Sequence, residues 1–184
     1  MISEKAFVCK TWKTKAAATV AALIVAVALP QFFHVLGVAT GIGSKIGEVL
    51  LPMHIAVFVA GFCAGPWAGL TTGALAPMLS YALTGMPAAA VLPFMAIELS
   101  GYGIASGLTA DAPVSPFYKL LGAQIFGRAL RAAAVLVAVY GFGAGVPVAS
   151  IWQSAVTGLP GIALQWAIVP LVTFWLARKQ NRDA

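Results

Sequence analysis

The sequence predicts an all-α integral membrane protein, a bundle of six transmembrane helices with both termini in the cytoplasm. Three observations lead to this fold class. Of the 184 residues, 61% are hydrophobic and 9% are charged, and the mean hydropathy is +0.95, whereas about a quarter of the residues of a soluble domain are charged. Apolar runs of roughly 20 residues, the length that crosses a bilayer, recur along the chain. Most basic residues lie beside the ends of those runs.

Composition also excludes two other classes of protein. A secreted fold held by disulfides is excluded because the chain has only two cysteines, Cys9 in a lysine-flanked tail and Cys63 in an apolar run. A net charge of +6 suits nucleic acid, but a duplex-binding face needs clustered basic residues on a soluble fold. Since the basic residues here flank apolar segments, we expect no nucleic-acid partner.

Glycine, proline and charged residues divide the chain into six predicted spans, at residues 16–36, 48–64, 66–84, 91–109, 118–140 and 154–177. Short connections separate them, at residues 37–47, the Gly65-Pro66 turn, 85–90, 110–117 and 141–153. Residues 1–184 are therefore predicted to form a single membrane domain, with cytoplasmic tails at 1–15 and 178–184.

The first predicted span follows a lysine-rich tail and has two interpretations. Ala26-Val27-Ala28 resembles the small-residue cleavage site of a signal peptide. The apolar sequence continues past that site through residues 33–38, which favours a helix that is retained in the membrane.

The counts of lysine and arginine set the orientation, because cytoplasmic loops carry an excess of both. With six spans, both termini lie on one side of the membrane, and Lys45 is the only basic residue on the other. The side of the termini holds Lys5, Lys10, Lys13, Lys15, Lys119, Arg178, Lys179 and Arg182. The sequence therefore predicts cytoplasmic termini, in the plasma (inner) membrane of the cell.

Small residues recur at helical spacing in the first predicted span, where Ala18, Ala22 and Ala26 form a stripe. Close backbone approach over small residues is the usual way in which helices associate in lipid. The stripe therefore indicates either packing inside the bundle or docking on a partner helix. Alanine is also frequent enough in this chain for such stripes to arise by chance.

Four ionisable residues fall at membrane depth, His54, Glu98, Arg128 and Arg131. Such groups cost about 2.5 to 3.5 kcal/mol on insertion scales and tend to be paired or functional. With a rise of about 1.5 Å per residue, the four lie about 9 to 18 Å below the outer ends of their helices. Gln165 enters the same layer at about 16 Å. We expect these five residues to form one substrate-binding site.

This layer is predicted to bind a small anionic solute. Two arginines against one carboxylate leave a surplus positive charge, and a guanidinium can hold a carboxylate through two hydrogen bonds. Tyr81 and Trp152 are predicted to wall the same region. The alternative is a structural ion pair between Glu98 and Arg131, with Arg128 extending to the cytoplasmic side.

Sequence signatures of catalysis are weak. His34, His54 and Glu98 are the residue types of a two-histidine, one-carboxylate metal set, but no HExxH motif or paired-acid spacing supports it. No serine lies in a recognisable nucleophile motif, and no GxxxxGK phosphate loop occurs. We expect the protein not to be an enzyme and to carry no cofactor or metal.

The central part of the chain resembles a known family. The residues that carry the resemblance are Leu51-Pro52-Met53-His54-Ile55, Ala60-Gly61-Phe62, Gly65-Pro66, Gly69, Gly73, Pro77, Ser80, Thr84-Gly85-Met86-Pro87, Ile97-Glu98-Leu99 and Tyr102-Gly103. They are similar to the substrate-binding S components of energy-coupling factor (ECF) vitamin transporters, nearest to the branch assigned to pantothenate uptake. The stripe of Ala18, Ala22 and Ala26 is similar to the motif with which S components dock on their transmembrane coupling subunit.

The resemblance implies a small membrane protein that captures a vitamin or vitamin precursor from outside with high affinity. It further implies partners, a coupling subunit and two ATPase subunits of an ABC-type importer, and a toppling motion that releases the solute inside. S components share one fold while they bind different vitamins. Pantothenate is therefore the first expectation, and nicotinate, a pyridoxine-type ring and a cobamide stay open.

Two functions of other classes also stay open. An integral membrane enzyme would use His54 and Glu98 as an acid–base pair, and a self-sufficient proton-coupled carrier would use the buried Glu98. Stoichiometric vitamin binding without turnover favours the S component. Product formation favours the enzyme, and pH-driven uptake by the lone chain in liposomes favours the carrier.

The predicted orientation can be tested by labelling with a membrane-impermeant maleimide. In a background in which Cys9 and Cys63 are replaced by alanine, Ser44→Cys should react in intact cells, because position 44 lies in the predicted outer loop. Asp183→Cys should react only after the membrane is permeabilised. The opposite pattern would invert the orientation.

Overall fold

The structure, a computed structural model, describes Cys9 and residues 11–41 and 49–182 of the chain. Every regular element in these residues is helical, in agreement with the predicted all-α class. The described residues form, in chain order, the α-helices α1 Trp12–Ala39, α2 Pro52–Ala64, α3 Pro66–Thr84, α4 Leu92–Thr109, α5 Pro116–Leu136, α6 Ser150–Thr157 and α7 Leu159–Arg182. A π-helical turn, Val137–Gly141, continues α5.

Proline and glycine set most of the helix boundaries. The helices α2, α3, α4 and α5 each have a proline in the first turn, where the missing amide donor is not needed by the hydrogen-bond ladder. The first helix starts instead at a capping box, in which the Thr11 hydroxyl accepts a 3.3 Å hydrogen bond from the Thr14 amide. Gly65 and Gly85, with φ of 98° and 73°, follow α2 and α3, since a positive φ is strained for other residues.

Five of the six predicted spans correspond to α1 to α5. The second begins at Pro52 and not at residue 48, because Leu51 adopts a left-handed conformation with φ of 49° directly before it. The predicted loop 37–47 lies outside the described residues from position 42 onward. So do most of the tail 1–15 and the last two positions of the chain.

The sixth predicted span, 154–177, is wrong as a single helix. Gly158 separates α6 from α7, and Pro160 in the first turn of α7 cannot donate to the carbonyl of Val156, so a continuous ladder cannot form there. The predicted loop 141–153 is also partly helical, because α6 begins at Ser150. This short helix turns out to border the candidate site.

Three helices are long and apolar enough to cross a membrane, Trp12–Ala39, Pro116–Gly141 and Leu159–Leu176. The apolar helix α2 is shorter, with 13 residues. The helices α3 and α4 have 19 and 18 residues, within the range that spans a bilayer, but they are less apolar. The long apolar helices indicate a membrane protein.

The short helix α2 lies at the centre of the bundle, in contact with α1, α3, α4 and α7. The side chain of Phe58 in α2 is fully buried in the main core, together with Leu99 and Tyr102 of α4. The helix α5 packs on the far side of α4, whereas α7 packs mainly on α2 and only lightly on α5. The core therefore sits among α2, α4 and the helices on either side of them.

Glycine allows α3 and α4 to approach backbone to backbone. A Cβ on Gly69 would collide with the carbonyl of Gly103, and a Cβ on Gly73 would collide with the carbonyl of Leu99. Gly61 of α2 contacts α4 in the same way, at the Ser106 hydroxyl. Such contacts give helices in lipid their van der Waals attraction, so α2, α3 and α4 form a tightly packed block.

The alanine stripe of α1 faces this block. Ala26 is fully buried in the main core, Ala22 is half-buried, and Ala18 packs on a smaller cluster that includes Cys9. The helix α1 contacts both α2 and α3. This placement supports the interpretation of the stripe as internal packing, while docking on a coupling subunit through the same three alanines stays a prediction.

The contact between α3 and α4 can be tested with a single methyl group. Gly103→Ala should lower the free energy of unfolding by about 1 to 3 kcal/mol, as overpacking does in other cores. Gly122→Ala in α5 is the matched control, because its Cβ would meet nothing within 4 Å and alanine favours a helix. The measurement is the thermal unfolding midpoint in detergent. Equal midpoints for the two variants would contradict the close contact.

Candidate functional site

A cavity of about 470 Å³ opens at one end of the bundle. The later halves of α1 and α5, the first turns of α2, the first half of α4, the end of α3 and one face of α6 line it. Consecutive helices joined by short connections alternate in direction, so these segments lie at the same end. With the predicted cytoplasmic termini, that end faces outward.

The structure brings together His54, Glu98, Arg128 and Arg131, the four ionisable residues expected to share one layer, and all four line the cavity. His54 comes from the first turn of α2 and Glu98 from the second turn of α4. The two arginines, three residues apart, lie on one face of α5. The charged wall of the cavity is thus formed by two neighbouring helices, α4 and α5.

Glu98 is held by two partners. Its Oε2 accepts a 2.8 Å hydrogen bond from Nη1 of Arg131, and its Oε1 accepts one of 2.6 Å from the Tyr102 hydroxyl. Glu98 and Arg131 are 3% and 9% exposed, so this is a buried, charge-assisted pair. The Tyr102 ring also lies 5.5 Å from the ring of His54, which links the pair to α2.

Arg128 lies one turn before Arg131 and carries the surplus charge that the sequence predicts. Because Arg131 is paired with Glu98, its charge is balanced. Within the described residues, Arg128 has neither a carboxylate nor a hydrogen-bond acceptor as a partner. Its half-buried guanidinium borders the cavity near Gly158. The cavity therefore has a net positive wall.

Four polar atoms of the cavity residues are enclosed and have no hydrogen-bond partner in the described part of the chain. They are Nδ1 of His34, Nδ1 of His54, Nε of Arg131 and Oγ of Ser150. Buried polar atoms are nearly always hydrogen-bonded, so their grouping in one place indicates a surface that binds polar groups. His34, considered in the sequence only as a metal ligand, belongs to this surface.

Gln165 lies apart from the cavity. It is buried between α5 and α7, where its Oε1 accepts a 2.8 Å hydrogen bond from Nε2 of Gln124. The Oε1 of Gln124 in turn accepts one of 2.9 Å from Nε1 of Trp166. The predicted depth of Gln165 was counted along one continuous helix from residue 154. In the structure the helix is broken at Gly158, and α7 begins at Leu159.

Tyr81 and Trp152 do not line the cavity either. Tyr81 is 39% exposed, because a helix turns by about 100° per residue and its neighbour Ser80 is the one that faces the cavity. Trp152 is 73% exposed, on the side of α6 away from the cavity. The prediction that these two aromatic side chains wall the cavity is therefore wrong.

Sequence reasoning missed two parts of the site. Tyr102, the second partner of Glu98, stands four residues after it, a spacing that places both on one helical face and was available as a signal. The residues of α6 were assigned to a loop and to the start of the last span. The cavity also has an apolar and flexible wall, the methionine wall, formed by Met53, Met86 and Met95.

Within the described residues, no group of three side chains from histidine, cysteine, aspartate and glutamate is placed to hold a metal ion. His34, His54 and Glu98 all border the cavity, but Glu98 already uses both oxygens in hydrogen bonds. The charged and polar side chains of this cavity can form ion pairs and hydrogen bonds.

Comparison of the chain with protein-family models, with curated proteins and with solved structures gives no match. The inference of function therefore starts from the cavity and from the resemblance carried by the sequence motifs.

The pairing of Glu98 with Arg131 predicts unequal effects of their substitution. Arg131→Ala leaves a buried carboxylate without its cation and should lower the free energy of unfolding by about 3 to 5 kcal/mol. Glu98→Gln should cost less, because the amide oxygen can still accept from Nη1 of Arg131 and the amide nitrogen can donate to the Tyr102 hydroxyl. The measurement is thermal unfolding followed by tryptophan fluorescence.

The double variant Glu98→Gln with Arg131→Ala is the control for this pair. It leaves no buried charge, so it should be more stable than Arg131→Ala. A double variant whose loss equals the sum of the two single losses would contradict an energetic coupling between Glu98 and Arg131.

Proposed function

We propose that this chain is a membrane-embedded solute-binding subunit of the ECF S-component type. It would capture a small anionic vitamin or vitamin precursor, pantothenate first, in the cavity bordered by Arg128, and would not act as an enzyme. The single observation that carries this proposal is the guanidinium of Arg128, which has no partner among the described residues, in a cavity that also contains the neutralised pair of Glu98 and Arg131.

An unpaired arginine at membrane depth is expensive and is typical of a functional site. The structural alternative has Arg128 extending to the cytoplasmic side, whereas its guanidinium borders the cavity near Gly158. An anionic group supplies the missing countercharge, and it can accept hydrogen bonds from Arg128 and from the enclosed Nε of Arg131. An anionic ligand would thus balance both the charge and the hydrogen bonds of this wall.

The proposed topology has six spans, α1 to α5 and α7, with α6 at the outer surface. The distribution of lysine and arginine in the sequence supports cytoplasmic termini. The alternation of the helices then puts the cavity on the outer side, where a ligand can enter from outside. A subunit that captures nutrients needs this arrangement.

The volume of the cavity bears on the identity of the ligand. About 470 Å³ lies in the usual range for small-molecule sites, roughly 300 to 1,000 Å³, and suits a vitamin precursor of the size of pantothenate, nicotinate or a pyridoxine-type ring. A cobamide, with a corrin ring and a nucleotide loop, is much larger. Of the four ligands that the resemblance leaves open, the cobamide is therefore the least favoured.

A binding subunit without an ATPase of its own requires partners to drive uptake. The resemblance to S components supports a transmembrane coupling subunit and two ATPase subunits as those partners. The rival roles of Glu98 as a catalytic acid or as a proton carrier have less support. Both carboxylate oxygens are engaged by Tyr102 and Arg131, so proton exchange would require this pair to open.

The proposal is tested by binding of pantothenate to the purified protein in detergent, measured by titration calorimetry. Arg128→Gln should weaken binding by roughly 30-fold or more, because loss of a charged partner in a shielded site costs about 2 to 5 kcal/mol. Arg178→Gln is the matched control, since Arg178 lies far along α7 over the ring of Phe174, at 4.3 Å from its centroid. It should bind as wild type does.

Mass spectrometry of small molecules that co-purify with the protein gives an independent test of ligand charge. A co-purifying molecule that is neutral or cationic would overturn the proposal. So would an Arg128→Gln variant that binds its ligand as tightly as wild type.

A further inference from the structure

The short helix α6 turns one polar face to the cavity. Ser150, Gln153, Ser154 and Thr157 have the spacing i, i+3, i+4 and i+7, which places them on one side of a helix, and all four line the cavity. Trp152 and Val156 on the other side are 73% and 46% exposed. A helix of eight residues thus divides into a polar face toward the cavity and an exposed apolar face on the other side.

Packing inside the protein does not explain this polar face. No residue of α6 is buried, and the helix packs chiefly on its neighbours α5 and α7 along its short length. Within the described residues, the side chains of Gln153 and Thr157 make no hydrogen bond, and Ser154 bonds only the carbonyl of Ile151 in its own helix, at 3.0 Å. The face is therefore free to bind another molecule.

Unpartnered polar atoms point to the same conclusion independently. The Oγ of Ser150 is enclosed without a partner in the described part of the chain, as are Nδ1 of His54 and Nε of Arg131. His54 and Arg131 are 4% and 9% exposed. Atoms in this state occur both on the charged wall of α5 and on α6, which marks both walls as polar.

The two walls differ in chemistry. The wall of α5 is cationic at Arg128, whereas α6 presents three hydroxyls and one carboxamide, which are neutral and can both donate and accept hydrogen bonds. Neutral groups of this kind bind the hydroxyls and amides of a ligand, but they do not discriminate between charged and uncharged ligands. A site built to hydrogen-bond such groups rejects an analogue that lacks them, because its own polar atoms are then left unpaired.

We infer that the polar face of α6 is the specificity-determining surface of this site and selects a carboxylate whose uncharged part carries hydroxyl or amide groups. The carboxylate lies at Arg128, the hydroxyl or amide groups face Gln153 and Thr157, and the carbon skeleton lies along the methionine wall. This inference rests on the proposed function and narrows its ligand class. It disfavours an aromatic acid without such groups.

Three monocarboxylates test this inference by titration calorimetry on the full chain in detergent. Pantothenate carries two hydroxyls and an amide, nicotinate is an aromatic acid without either, and hexanoate is an apolar acid. Wild type should bind pantothenate at least tenfold more tightly than the other two, since each net hydrogen bond contributes roughly 3- to 10-fold.

The decisive variant is the double substitution Gln153→Leu with Thr157→Val, which keeps the size of both side chains and removes their polar atoms. It should weaken pantothenate about tenfold or more and leave nicotinate and hexanoate unchanged. Val156→Thr is the matched control, because it adds a hydroxyl to the opposite face of the same helix. It should change none of the three affinities, and neither variant should move the unfolding midpoint.

The outcomes separate the inference about α6 from the proposed function on which it rests. If Arg128→Gln weakens all three acids while the α6 double variant weakens none, the role of α6 is overturned and the proposed function stands. An equal loss for all three acids in the double variant would assign α6 a structural role and also overturn the inference. If wild type binds none of the acids, or Arg128→Gln has no effect, the proposed function is overturned and the inference falls with it.

Discussion

The buried ion pair between Glu98 and Arg131 decides the electrostatics of the cavity. A 2.8 Å hydrogen bond from Nη1 of Arg131 to Oε2 of Glu98 joins α5 to α4. The Tyr102 hydroxyl donates to the other carboxylate oxygen, so both oxygens have a partner. Because one arginine is neutralised in this way, the other, Arg128, is left to face the cavity with its charge uncompensated by the described residues. A change in this pair would alter both the packing of two helices and the charge that a ligand meets.

Close glycine contacts hold that pair in place. The helix α4 is fixed against α3 at Gly69 and Gly103 and against α2 at Gly61, so Glu98 projects from a block with little freedom to move. The helices α6 and α7 are attached more lightly, on either side of Gly158. The bundle thus combines a rigid charged wall with a peripheral polar one, as a selective but accessible site requires.

In the proposed function, the different walls of the cavity divide the work of recognition. The guanidinium of Arg128, which has no partner among the described residues, attracts an anion. The methionine wall adapts to a carbon skeleton. The neutral face of α6 adds directional hydrogen bonds, which discriminate among anions of similar size. In this arrangement charge governs whether a ligand binds, and α6 governs which one.

The sequence by itself determined the helical class, the positions of the helices α1 to α5 and the meeting of His54, Glu98, Arg128 and Arg131, because apolar length and helical rise fix how far along its helix a residue lies. Only the tertiary structure decided which way each side chain points. Tyr81 and Trp152 turn outward, Gln165 joins Gln124, and Tyr102 takes the second oxygen of Glu98. Depth follows from counting residues along one chain, whereas direction depends on how neighbouring helices rotate and break, as α7 does at Gly158.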